Sequence, residues 1–192
     1  MTEAVHILWT GGMDSTFLVL RSLLEGKRVV PVYVLMVDTR HIAEKRVMGR
    51  VKKLFPESFL ASMQETITLY PEQIVPIVNG MRAGLSDNGV SFGSHNHQIS
   101  LNSVWQAAGA KYLETDLYSG CCADDRCRGW EWQETNGVKM PLRQVRKSEM
   151  VVEAHRNSWI PILRETVSCI RTWESNCGQC VECQKRRKAG ML

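Results

Sequence analysis

The sequence predicts an α/β protein, a parallel sheet flanked by helices, with a cysteine-rich element following it. Three observations carry that expectation. Short apolar runs alternate with amphipathic stretches, as in repeated strand–helix units. The run at 29–37, VVPVYVLMV, is apolar on both faces, as a strand in the middle of a parallel sheet must be. Four of the seven cysteines fall together at positions 169, 177, 180 and 183, in a stretch of little apolar content.

In chain order, residues 5–9 form the first predicted strand. It feeds through Thr10, Gly11 and Gly12 into a helix over 14–25, with Gly26 placed to end it. Residues 29–37 are the second strand, rich in β-branched side chains. A helix over 41–54 follows, with Ile42, Val47, Val51 and Leu54 expected on its inner side and basic residues outside. Residues 65–69 are a third strand, and the polar, glycine-rich stretch 85–98 reads as a loop over a site. A helix over 99–108, a fourth strand over 111–115, a polar loop over 116–130 and a helix over 147–155 complete the pattern.

With 192 residues, 44% of them hydrophobic, the chain fits one core with a small appendage. The boundary is drawn between an α/β part at 1–165 and a cysteine-rich part at 166–192. The longest apolar run has nine residues and contains a proline, too short for a bilayer. Glu3 and His6 interrupt any signal-peptide core, so a cytoplasmic location is expected. In that reducing compartment clustered cysteines are metal ligands or redox groups rather than disulfides. A net charge of +4 is mild and alone makes no case for nucleic acid.

The strand-to-helix junction TGGMDSTF is where chemistry is expected. A helix N-terminus leaves backbone N–H groups unpaired and carries partial positive charge. Glycines let a phosphate oxygen approach those amides closely. Ser15 and Thr16 add hydroxyls, and Asp14 can cap the helix or hold a magnesium ion. No lysine follows as in a P-loop, and the third glycine of the dinucleotide fingerprint is missing. The same spacing also serves as a plain strand-to-helix connection.

The four clustered cysteines read C-x7-C-x2-C-x2-C, two interlocking C-x2-C units that share Cys180. Four soft ligands suit tetrahedral zinc, and Gly178 helps the chain bend between them. An iron–sulfur cluster is the competing occupant, which spacing alone does not separate. Cys121, Cys122 and Cys127 remain, read as loop thiols, as a sulfur relay or as part of a second metal site. Lys185, Arg186, Arg187 and Lys188 form a basic run that reads as a solvated helix face or a neighbour of phosphates rather than a nucleic-acid site.

TGGMDSTF resembles the S-G-G-x-D-S signature of the PP-loop ATP pyrophosphatases, with Thr10 in place of serine. Together with the cysteine pattern, the chain resembles one group of them, the 7-cyano-7-deazaguanine synthases. His41 and Glu44 of VDTRHIAEKRV match that family's H-x-x-E, and MPLRQVRKSEM matches its P-L-…-K-x-E-I segment. TVSC leads into the cysteines as T-x-S-C does there. The middle departs: SFGSHNHQ has no arginine where the family has V-P-x-R-N, and DLYSGCCADDRCR spaces its D-x-S-G-Y-x-D-C-R loop differently.

The resemblance implies a Rossmann-like fold and an ATP-dependent ligase that adenylates a carboxylate and lets ammonia displace AMP. The substrate would be 7-carboxy-7-deazaguanine, and the product the nitrile precursor of queuosine-type bases. Thr10, Gly11, Gly12, Met13, Asp14, Ser15 and Thr16 would hold the ATP phosphates with Mg²⁺, joined by His41 and Glu44. Asp14, Ser15 and Lys147 would be the catalytic group, and Asp125, Cys127 and Arg128 would meet the base. Zn²⁺ on Cys169, Cys177, Cys180 and Cys183 and a homodimer are further expectations. Two other readings stay open: a PP-loop enzyme that thiolates a tRNA base, and a non-catalytic zinc and nucleotide-binding module.

Overall fold

A computed structural model describes residues 4–35, 40–87, 99–125, 129–172 and 174–191. The elements run β1 (Ala4–Leu8), α1 (Met13–Leu24), β2 (Arg28–Val34), α2 (Arg40–Lys52), α3 (Glu57–Ser62), β3 (Ile67–Leu69), α4 (Pro71–Asp87) and α5 (Leu101–Leu113). They continue with β4 (Leu117–Tyr118), a 3-10 turn (Ala123–Asp125), α6 (Trp130–Thr135), β5 (Val138–Lys139), α7 (Lys147–Arg156), α8 (Ile160–Glu165) and α9 (Val181–Lys188). The five strands form one sheet in the order β3-β2-β1-β4-β5. Every pairing in it is parallel.

Strand alternation builds two cores. Ile7, Val29 and Tyr33 face one layer with α1, α2, α7 and α8. Leu8, Val32, Leu117 and Val138 face the other, with α4 and α5. Successive side chains point to opposite faces, so strands covered on both sides must be apolar at every position. Pro31 is tolerated within β2 because it falls between the Val29–Met63 bridge and the Val32–Ile67 pairing, where contact with the β3 side is interrupted.

The α/β fold expected from the sequence is present, with local differences. The predicted strand at 111–115 is instead the last turn of α5 and its cap, with Glu114 left-handed at φ 51. The alanine-rich run through 107–110 favours helix, and Gly109 sits where an added Cβ would come within 3.1 Å of Leu69 Cδ1. The strand itself follows at Leu117–Tyr118. Along α2 the inner stripe is Ala43, Val47, Met48 and Val51, which leaves Ile42 exposed. Leu54, also expected inside, lies past the helix end and is exposed. Helix α4 extends through residues 85–87 of the predicted loop, whose remainder, with His95 and His97, lies outside the described residues. Among the described residues no helix is long and apolar enough to cross a membrane.

Strand order reverses between β1 and β4, so the chain leaves in opposite directions from their carboxyl ends. In open parallel sheets that crevice is where ligands bind. The glycine turn sits at the end of β1 and therefore opens into it.

Candidate functional site

Gly11 adopts φ +76, and a Cβ there would fall 2.9 Å from Val47 Cγ1 of α2. Only glycine takes this backbone without strain, and it lets α2 pack against the turn. Gly12 is the N-cap of α1. Beyond it the Thr16 N–H donates to Gly12 O at 3.0 Å, the first bond of the helix. Thr16, expected at the helix mouth, is fully buried, and its hydroxyl accepts from the Trp9 indole at 3.0 Å. The sequence reading missed Trp9, which sits behind the turn and draws that hydroxyl inward. Ser15 stays half-buried and donates to Gly12 O at 3.2 Å, while Thr10 is exposed.

Two other segments close on the mouth of α1. Gly120, just past β4, lies so near that a Cβ would stand 2.5 Å from Ser15 N and 2.7 Å from the Asp14 carbonyl carbon. From the other side, Ser168 Oγ accepts from Met13 N–H at 3.3 Å, and Val167 N–H donates to Gly11 O at 3.3 Å. Gly120→Ala drives a methyl into backbone that has no flexible end to yield. It is expected to cost about 3 kcal/mol of stability, read as a lowered urea midpoint.

Asp14 leads into a charged cluster. Lys147, the first residue of α7, is nearly fully buried, and its Nζ donates to Asp14 Oδ2 and to Asp125 Oδ1, both at 2.9 Å. The same ammonium reaches Cys122 Sγ at 3.3 Å. Lys185 on α9 donates to Asp125 Oδ1 at 3.3 Å and to Glu182 Oε1 at 2.8 Å. The adjacent aspartates thus divide their work: Asp124 Oδ2 accepts from the Lys147 backbone N–H at 2.7 Å, capping α7, while Asp125 holds the two ammonium groups. Asp125 was expected to meet a substrate base; here it faces lysines.

Burial disfavours the Lys147 ammonium, but the charges of Asp14 and Asp125 outweigh it and hold the lysine well above its ordinary range. Burial, joined by the charge of Asp125, raises the Asp14 carboxyl to about 6 against the pull of Lys147. Asp125 moves the opposite way: burial opposes its ionisation, yet Lys147 and Lys185 together bring it down. Asp14 is therefore the soft member of the cluster, and its Oδ1 is buried with no hydrogen bond among the described residues.

A carboxyl raised in the fold gives stability that is complete below its unfolded value of 3.8 and is lost as pH rises through about 6. Asp14→Asn removes that loss. The variant's melting temperature, relative to the parent, should be higher at pH 7.5 than at pH 4.5, as differential scanning calorimetry would read.

The remaining expected contacts are scattered. Glu44 Oε2 accepts from the Tyr33 hydroxyl at 2.6 Å, and His41 lies half-buried in the first turn of α2. Cys127 and Arg128 lie outside the described residues. Cys121, expected as a loop thiol, is disulfide-bonded instead. Burial, then the charges of Asp14 and Asp125, push the Cys122 thiol up to about 12, so it is neutral and poorly nucleophilic at pH 7.

Cys169, Cys177, Cys180 and Cys183 converge, with all four sulfurs within 4.8 Å of one another. Cys169 and Cys180 are 3.8 Å apart and Cys177 and Cys183 4.0 Å. Zinc–sulfur bonds of about 2.3 Å at tetrahedral angles require sulfur separations of about 3.8 Å. The set could hold one such ion. Backbone N–H groups of Gln179 and Cys180 point at Cys177 Sγ at 3.5 and 3.4 Å, and that of Arg171 at Cys169 Sγ at 3.4 Å. These donors hold the sulfurs in place as an outer shell does. Gly178, at φ +74, makes the bend. Burial, together with the neighbouring sulfurs, pushes the Cys183 thiol up to about 12, a crowding that a cation among them would relieve.

Fold and site together define a Rossmann-like α/β protein whose glycine turn, at the switch point of the sheet, is backed by a four-cysteine knot. Residues 123–191 match the family model of the queuosine biosynthesis protein QueC. That match spans Lys147, Lys185 and all four knot cysteines and bears out the resemblance read from the sequence; the glycine turn lies outside it. Among solved structures, a predicted subunit of tRNA methyltransferase from Methanocaldococcus jannaschii is similar at 14% identity and TM-score 0.47, over 81% of this chain and 75% of that one. No curated protein matches.

Proposed function

We propose that the chain is an ATP-dependent ligase that adenylates the carboxylate of 7-carboxy-7-deazaguanine. The carboxylate oxygen attacks the α-phosphorus of ATP and pyrophosphate leaves. Ammonia adds to the acyl adenylate and AMP departs, giving the amide. A second ATP takes the amide oxygen, pyrophosphate leaves, and loss of AMP with a proton gives the nitrile.

The observation that carries this reading is the 2.9 Å bond from Lys147 Nζ to Asp14 Oδ2. It joins the glycine turn, read here as the anion site, to the family-matched part of the chain. The amides at the start of α1 and the Ser15 hydroxyl would take the departing pyrophosphate, and Lys147 would supply fixed charge in a water-poor site. Asp14 Oδ1, a buried acceptor without a donor among the described residues, suits a magnesium ion, which would neutralise developing phosphate charge. The compact sulfurs favour a single zinc ion over an iron–sulfur cluster, as a structural element within 166–192 packed on a nucleotide-binding unit at 1–165.

The thiolation reading needs a reactive thiolate beside the nucleotide, and Cys122 is held neutral there. Incubation of the protein with ATP, Mg²⁺, ammonia and the carboxylate should release AMP and pyrophosphate and yield the nitrile. AMP without nitrile would redirect the substrate assignment, and no AMP would end the ligase reading.

A further inference from the structure

We propose that the cysteine knot is a positioning device for the glycine turn, so that metal occupancy sets how tightly the turn holds nucleotide phosphates. This rests on the proposed placement of ATP at that turn.

The argument starts from where the knot's other residues go. Each stretch that supplies a ligand also sends a side chain toward the site. Ser168, one residue before Cys169, accepts from the Met13 N–H in the first turn of α1. Asn176, one residue before Cys177, donates from Nδ2 to Thr166 O at 3.1 Å, and its Oδ1 accepts from Ser168 N–H at 3.4 Å. Arg186, three residues after Cys183, is fully buried; it donates to Thr166 Oγ1 at 2.6 Å and to Leu163 O at 3.0 Å. Lys185, beside it, holds Asp125 and so the partner of Lys147.

Thr166, Val167 and Ser168 are thus clamped from behind by Asn176 and Arg186, and in front they touch the turn at Gly11 and Met13. The clamp is as rigid as the loop that carries it. Without an ion, the four close sulfurs are tied through weak N–H···S bonds. With one, the segments carrying Cys169, Cys177 and Cys183 become a single body, and Ser168, Asn176 and Arg186 are fixed relative to one another. Two sites that share such an element are energetically coupled, and typical coupling is about 5- to 150-fold in affinity.

The experiment is calorimetric titration of the full chain with Mg·ATP in three forms: zinc-loaded, zinc-stripped and re-loaded, and the variant Asn176→Ala carrying its zinc. The loaded parent should bind. Stripping should weaken binding about tenfold or more, and re-loading should restore it. Asn176→Ala should weaken binding severalfold while zinc content by mass spectrometry and far-UV circular dichroism stay those of the parent. That combination is not produced by a knot whose only task is to hold the fold together. If stripping unfolds the chain, the loaded variant alone decides. Equal affinity in the loaded parent and the loaded variant overturns the coupling and leaves the ligase reading intact. A loaded parent that binds no Mg·ATP overturns both.

Discussion

Lys147→Met is expected to destabilise the protein by about 3 kcal/mol at pH 7.5 and to abolish any ATP-dependent turnover. The side chain is nearly fully buried, and methionine keeps all but the last atom of its length while removing the charge. What remains are Asp14 and Asp125, both largely buried and without their common cation; Lys185 still pairs with Asp125 and Glu182 but not with Asp14. Removing one member of such a group costs more than the group contributes in balance, because a desolvated charge is left uncompensated. Asp14, already raised to about 6, then titrates higher still. The penalty should accordingly shrink at pH 5, where Asp14 carries its proton in parent and variant alike. Urea unfolding at the two pH values reads this, and an equal penalty at both would remove Asp14 from the account.

Cys180→Ser is the second large effect. Cys180 belongs to both C-x2-C units, so its loss opens the tetrahedron at its most connected corner. An ion that binds only the folded knot stabilises by mass action, about 4 kcal/mol when it is present at a thousand times its dissociation constant. In a chain of this size that corresponds to a fall in Tm of about 10 °C. The same fall should follow from a chelator on the parent, and the two treatments should not add. Cys122→Ser supplies the control: its sulfur faces Lys147, outside the knot, so bound zinc should be unchanged.

What could be read in advance was whatever a short stretch must carry in itself. Gly11 announces a backbone that other residues strain to adopt, and cysteines at C-x2-C spacing announce sulfurs that converge. The long central strand β2 was visible through its two-faced apolarity. Strands β4 and β5 were not, because two residues each show no period and exist only by pairing with neighbours. Neither were the burial of Thr16, which depends on Trp9, nor the division of labour between Asp124 and Asp125. Gly120 shows the limit well: its need for no side chain comes from Ser15, far away in sequence and touching in space.

The bond between Met13 N and Ser168 Oγ spans 155 positions of the chain. During synthesis the early strand and helix leave the ribosome long before their distant counterpart exists. Closing so large a loop is slow and entropically costly, so it comes late in folding. A nascent polypeptide therefore carries an unfinished cradle, and the proposed grip on nucleotide should arise only once translation has reached the cysteines.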